Sequence, residues 1–206
     1  MVEVAIVLMI IGLLLGGILK GQELVNSAKA RSLSQEFVAV QSALYGYQDR
    51  YKAIPGDHRL AAVADVRATV ATTPAGVVGN GRIDGAWDST VDSDESRLFW
   101  QHVRLAGLYS GPATVTDTNY TPQTLFGTRM GISSSMQITS PTTMNGNFNI
   151  CARDIPGRYA KQLDMQIDDG DTQTGSVRVA DPASPGVAQP VISIEDGGKY
   201  LLCLAF

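Results

Sequence analysis

The most pronounced pattern along the chain is an unbroken run of apolar residues near its start. From Val4 to Leu19 no side chain is polar, and Glu3 is the only charge before Lys20. A run of this length nearly matches the roughly 20 residues that a helix needs to cross a bilayer. A cleavable signal peptide would show a basic start and a small-residue cleavage site, and neither pattern is seen here. The run therefore predicts a retained membrane anchor.

A second helical pattern follows the apolar run. Its apolar residues recur at steps of three or four, as one face of an amphipathic helix requires. The members of this stripe are Ala30, Leu33, Phe37, Val40, Leu44, Tyr47 and Tyr51. Pro55 and Gly56 then end the pattern. We predict one continuous helix over residues 1–51, about 75 Å long, with half in a membrane and half against a soluble head.

Shorter elements are predicted after this helix. A capping-box sequence at residues 92–95 and Gly107 bound one short helix, and Pro156 and residues 168–170 bound another. The segments with β-type residues between turn signals are 148–152, 175–180, 190–194 and 199–205. The expected fold class is therefore α+β.

The predicted elements divide the chain into three parts. The boundaries that we expect are 1–22 for a transmembrane and assembly helix, 23–53 for the amphipathic half of the same helix, and 54–206 for a globular α+β head.

Composition narrows the class of protein. The net charge of −4 and the isoelectric point near 5.1 argue against a nucleic-acid partner, because such binding depends on a basic surface. Cys151 and Cys203 lie in no cluster of metal-ligating residues. In an exported protein they would pair and close a loop of about 50 residues, which stabilises by roughly 4 kcal/mol in the chain-entropy model. In a cytosolic protein, by contrast, the two cysteines would remain as free, buried thiols.

No catalytic motif is found in the sequence. The two histidines, His58 and His102, lie in no nucleophile–base pattern, and the Ser-elbow, zinc-protease, P-loop and dinucleotide signatures are all missing. We expect His102 to be a buried structural ring on the apolar side of its helix. The expected function is therefore not enzymatic.

Glu3 and four glycines are the notable residues of the apolar run. A carboxylate within a spanning helix costs about 2.5–3.5 kcal/mol on insertion scales, so it needs a partner or a place at the membrane surface. The glycines lie four residues apart in two pairs, which give two faces where helices can approach closely. These glycines are Gly12 and Gly16, and Gly17 and Gly21.

The string VEVAIVLMIIGLLLGGILKGQELVNSAK resembles the N-terminus of mature type IV pilins and type II secretion pseudopilins. The Glu of that family maps onto Glu3. In the family this Glu is the fifth residue, so the resemblance implies that two residues and a leader precede Met1. The family also often has a proline near the position of Lys20, which this chain lacks.

The resemblance implies a pilin fold, in which the long N-terminal helix packs on an antiparallel β-sheet and a disulfide joins Cys151 and Cys203. It implies a structural subunit that waits in the inner membrane with a periplasmic head, and then joins an extracellular pilus or a periplasmic pseudopilus. Glu3 would pair with the N-terminal amine of a neighbouring copy. The implied partners are further copies of the chain, a prepilin peptidase, an assembly ATPase and a platform protein.

Two alternatives remain open for the function. Within the family, the chain would be a minor pilin or a type II secretion pseudopilin. In another class, it would be a membrane-tethered periplasmic binding protein or enzyme, whose activity would survive in a head freed of residues 1–22.

No cofactor is expected, and calcium is the one ligand for which candidate residues exist. Acidic, turn-rich segments supply carboxylates, although none has the spacing of an EF-hand loop. The alternative is that they are solvated turns and helix caps. The candidates are Asp84, Asp88, Asp168, Asp169 and Asp171.

Overall fold

The computed structural model describes residues 2–59, 62–63, 66–73 and 78–206, with the backbone alone for residues 62–63 and 66–67. The protein is α+β, as the sequence predicts. Its helices are α1 (Val2–Tyr51), α2 (Glu95–Leu105) and α3 (Gly157–Ile167), with a 3₁₀ turn at Val191–Ser193. Its strands are β1 (Ala62–Val63), β2 (Val66–Arg67), β3 (Met130–Ser133), β4 (Asn149–Pro156), β5 (Val177–Ala180) and β6 (Lys199–Ala205).

Four strands form the central antiparallel sheet. Their order is β3-β4-β6-β5, and β1 and β2 form a separate small hairpin. Cys151 on β4 lies directly opposite Cys203 on β6, and the two form a disulfide. This disulfide joins the two central strands and confirms the expected pairing.

The sheet is covered on both faces. Side chains alternate along a strand, so the sequence neighbours Ile150 and Cys151 point to opposite sides. Ile150 and Leu202 pack into the core on the helix side, whereas the disulfide packs into a second core. The second core also contains Trp87, Ile138, Met144, Ala180, Ala188, Leu201 and Ala205. Burial on both faces explains why these strands lack a polar alternation.

The second half of α1 rests on the head through the predicted stripe. Six of its seven members are buried, and Tyr51 at the helix end is partly buried. Near the start of the packed half, the Tyr159 hydroxyl of α3 donates a hydrogen bond to Asn26 at 2.9 Å. The predicted stripe is therefore confirmed.

Two local predictions are wrong, and one strand was not predicted. Residues 191–193 form a 3₁₀ turn rather than a strand, and β3 was not predicted within its glycine-rich surroundings. Asp94 is the N-cap residue of α2, but its side chain makes no capping hydrogen bond. Its carboxylate instead accepts hydrogen bonds from the hydroxyls of Thr73 and Ser89, and so it ties loops together.

Buried carboxylates also hold the long loops against the helices. Asp57 accepts backbone N–H groups from the turn at residues 79–81, which brings that turn to the end of α1. Glu36 of α1 accepts the N–H of Leu125 at 2.9 Å. Partial burial raises the pKa of Glu36, and the hydrogen bond from Leu125 opposes that rise. These contacts substitute for regular structure in the loops.

Candidate functional site

The outstanding surface of the molecule is the first half of α1. Every residue from 2 to 25, defined here as the projecting segment, is exposed, whereas burial against the head begins fully at Ala30. The projecting segment rises about 36 Å along the helix axis. Its large apolar side chains are Val2, Val4, Ile6, Val7, Leu8, Met9, Ile10, Ile11, Leu13, Leu14, Leu15, Ile18, Leu19, Leu24 and Val25. A soluble monomer rarely exposes so large an apolar surface.

The projecting segment is long and apolar enough to cross a membrane, as an anchor or as a signal sequence. Its most apolar stretch has a mean hydropathy of 2.7 and buries nothing against the head. Because it is apolar all round, it lacks the one-sided pattern of a helix that lies on a protein surface. The segment therefore requires an apolar environment outside this chain.

Glu3 lies in the first turn of α1. Among the residues that the structure describes, it has no ion-pair partner, whereas Glu23 farther along pairs with Lys20 at 2.6 Å. A carboxylate at the start of a helix is favoured by the helix dipole, but this does not offset transfer into hydrocarbon.

The four glycines of the projecting segment face open space. A Cβ atom added at Gly12, Gly16, Gly17 or Gly21 would meet no other atom within 4 Å. Nothing in the head therefore requires glycine at these positions. Each glycine within a helix costs about 1 kcal/mol relative to alanine, so their presence suits contacts that lie outside this chain.

The five calcium candidates lie in two places. Asp84 forms an ion pair with Arg82, and Asp88 forms one with Arg153, both at 3.6 Å. Asp168 and Asp169 follow α3, and one oxygen of each lies within 4.8 Å of the other and of an oxygen of Asp164. Asp171 is outside this group, and its carboxylate accepts the N–H of Gln173.

Asp164 is the member that the sequence analysis missed. It is fully buried on α3, and burial raises its pKa to about 7, with the nearby carboxylates of Asp168, Asp169 and Asp171 adding to the rise. The sequence did contain one signal for this residue. Asp164 follows the apolar Leu163 on the buried face of α3, and it lies four positions before Asp168. That spacing places both side chains on one side of a helix.

His102 is a structural residue, as expected. It is buried, its Nδ1 accepts the N–H of Gly56 at 2.9 Å, and its Nε2 lies 2.7 Å from the carbonyl oxygen of Thr69. Burial lowers its pKa to about 4, so the ring is neutral at pH 7. His58 forms a hydrogen bond with the Tyr47 hydroxyl at 2.9 Å. Both rings tie the loop after α1 to the helices.

Comparison with models of known protein families, with curated proteins and with solved structures finds no match to this chain.

Proposed function

We propose that this protein is a structural subunit of a type IV pilus-like filament, and that it polymerises through the projecting segment. Before assembly, the segment lies in the inner membrane and the head lies in the periplasm. During assembly, the segments of many copies leave the lipid and bundle together, with the heads outside. The observation that carries the proposal is the complete exposure of an apolar helix that is rigidly continuous with the packed half of α1.

The geometry supports a bundle in addition to a simple anchor. A lone anchor would need apolar residues, but it would need neither Glu3 nor four glycines with open space around them. Small residues allow helix backbones to approach closely, and that contact supplies packing energy between helices. In the proposed bundle, Glu3 is neutralised by the N-terminal amine of a neighbouring copy, which sets the spacing between successive subunits.

The first test replaces Glu3. We expect Glu3→Ala to leave the protein in the membrane but to reduce filament yield at least tenfold, because the neighbour's amine loses its partner. The measurement is the amount of subunit in filaments sheared from cells that carry the assembly machinery, with membrane content measured in parallel. Glu23→Ala is the matched control, since Glu23 is exposed and pairs only with Lys20 on the same helix. Normal filaments from Glu3→Ala would refute the proposed role of this residue.

The second test separates a filament from a tethered monomer. A cysteine placed at Leu13, which is exposed on the projecting segment, should be crosslinked by a bifunctional thiol reagent to the same position of one adjoining copy, and the product is a covalent dimer. The native cysteines do not interfere, because both are held in the disulfide. A cysteine at the exposed Ile192 of the head serves as a comparison. A tethered binding protein or enzyme would give only monomers at position 13.

The share of this protein in the mass of the purified filaments would distinguish a major subunit from a minor one. A major pilin accounts for most of the filament mass, whereas a minor pilin is scarce. A type II secretion pseudopilin would form a short periplasmic filament and release no pili. The proposed partners are a prepilin peptidase, an assembly ATPase and a platform protein.

A further inference from the structure

The end of α3 gathers negative charge at one point. Asp164 lies in the last turn of α3, Asp168 is its C-cap residue, and Asp169 follows. One carboxylate oxygen from each lies within 4.8 Å of the other two. The helix dipole is negative at this end, and the last turn contains no basic residue. The arrangement is unfavourable while all three carboxylates are ionised.

Asp164 is the residue that points to a ligand. It is 0% exposed, and neither of its carboxylate oxygens has a hydrogen-bond partner. Among the residues that the structure describes, no cationic side chain pairs with it. The buried Arg178 directs its guanidinium at Thr142 instead. Buried carboxylates are normally paired, hydrogen-bonded or bound to a metal, and the first two are not observed here.

The other two carboxylates are held in place by the loop. Asp168 accepts the N–H of Val177, the first residue of β5, at 2.6 Å. Asp169 accepts the hydroxyl of Thr174 at 2.7 Å. Gly175 has a φ of +66°, and a side chain there would collide with Asp168. The loop therefore fixes two carboxylates beside the buried one before any ligand arrives.

We propose that Asp164, Asp168 and Asp169 bind a divalent cation, and that this cation is calcium. The ligand set consists of oxygen atoms alone, which suits calcium or magnesium rather than zinc or copper. Magnesium demands near-ideal octahedral geometry, whereas calcium tolerates irregular coordination by six to eight oxygen atoms. Ligands from both a helix and a loop also suit the irregular coordination of calcium.

A bound ion would join the end of α3 to the start of β5. Asp164 belongs to the helix, whereas Asp168 is hydrogen-bonded to β5. Calcium would thus brace an edge strand of the sheet against the helix that contacts α1. This site is separate from the projecting segment, so its test is independent of filament formation.

The test measures calcium binding to the full-length protein in detergent micelles after treatment with EDTA. Titration calorimetry with calcium chloride should show one site, with a Kd between about 10⁻⁶ and 10⁻³ M, the range of sensor and extracellular sites. The thermal midpoint should rise by several degrees with calcium and less with magnesium. Absence of heat and of any midpoint shift at about 10 mM calcium would overturn the proposal and leave a protonated Asp164 as the explanation.

Two variants and a control locate the site. Asp169→Asn changes an exposed side chain, so it should fold normally and weaken calcium binding at least tenfold. Asp164→Asn should remove the calcium-dependent rise in the thermal midpoint. Asp171→Asn alters an exposed carboxylate outside the group of three and should change Kd less than threefold. Wild-type binding by Asp169→Asn would overturn the assignment.

Discussion

At the scale of single residues, the head contains carboxyl groups that are buried close to other carboxyl groups. Glu95 at the start of α2 is fully buried. One of its oxygens accepts the N–H of Asp84 at 2.8 Å, and the other has no hydrogen-bond partner. Burial raises the pKa of Glu95 to about 7, the hydrogen bond from Asp84 lowers it, and the charges of Asp57 and Asp84 raise it further. The protonated form is thus favoured in the folded protein.

This raised pKa predicts a pH dependence of stability. Between the ordinary pKa of 4.5 and about 7, the folded protein binds more protons at Glu95 than the unfolded chain, so stability falls as pH rises. The loss attributable to Glu95 is on the order of 2 kcal/mol between pH 5 and 8. Glu95→Gln keeps an oxygen acceptor for Asp84 and should remove this loss.

The measurement is urea unfolding of both proteins at several pH values. His102 and Asp164 also have shifted pKa values, so the difference between wild type and Glu95→Gln isolates Glu95. Glu195→Gln, at an exposed position, should follow the wild-type pH profile. An identical pH slope in wild type and Glu95→Gln would show that Glu95 is ionised in the folded protein.

Single residues were predictable from sequence where their chemistry was distinctive. Cys151 and Cys203 were expected to pair once the chain was taken to be exported, and His102 was expected to be buried. Asp164 was missed because its neighbours Asp168 and Asp169 looked like an ordinary solvated turn. Only the fold shows that the side chain before that turn is completely enclosed.

At the scale of elements, α1 combines two environments in one helix. Residues 2–25 touch nothing in the head, and the stripe that begins at Ala30 is buried in its core. The helix is continuous from its exposed half into its buried half. Packing therefore stabilises only the second half, and the projecting half depends on its surroundings.

The packed half can be tested with two adjacent residues. Phe37 is 0% exposed and Val38 is 45% exposed. Phe37→Ala should lower the free energy of unfolding by about 3–5 kcal/mol, because it removes a core aromatic ring. Val38→Ala should change it by about 0.5 kcal/mol or less. Chemical unfolding of the two variants checks the contrast, and equal losses would mean that the helix packs through another face.

Helices were more predictable than strands in this chain. The periodicity of α1, and the turn signals around α2 and α3, depend on local sequence and were sufficient. Strand β3 was not found because it has only four residues, Met130–Ser133, and lies in a stretch rich in glycine, serine and threonine that carries no β-type pattern. Val191 and Ile192 have β-branched side chains, yet residues 191–193 form a 3₁₀ turn, because neighbouring structure overrides propensity.

At the scale of the whole molecule, the head is independent of the projecting segment. Removal of residues 1–22 should give a soluble, monomeric head with an unchanged unfolding midpoint, because every residue from 2 to 22 is exposed. Removal of residues 1–33 should lower the midpoint, because Ala30 and Leu33 leave the core. Size-exclusion chromatography and calorimetry check both. If the protein that lacks residues 1–22 precipitates, or if its unfolding midpoint falls, the division at residue 22 is contradicted.

The position of β6 has a consequence for how the chain is made. This strand is the last of the sheet in sequence, yet it lies between β4 and β5 and supplies half of the disulfide. A polypeptide that emerges with its N-terminus first therefore has no closed sheet until residues 199–205 have emerged. A premature stop codon just before Lys199 would remove the centre of the sheet, and the remnant would be a substrate for proteases.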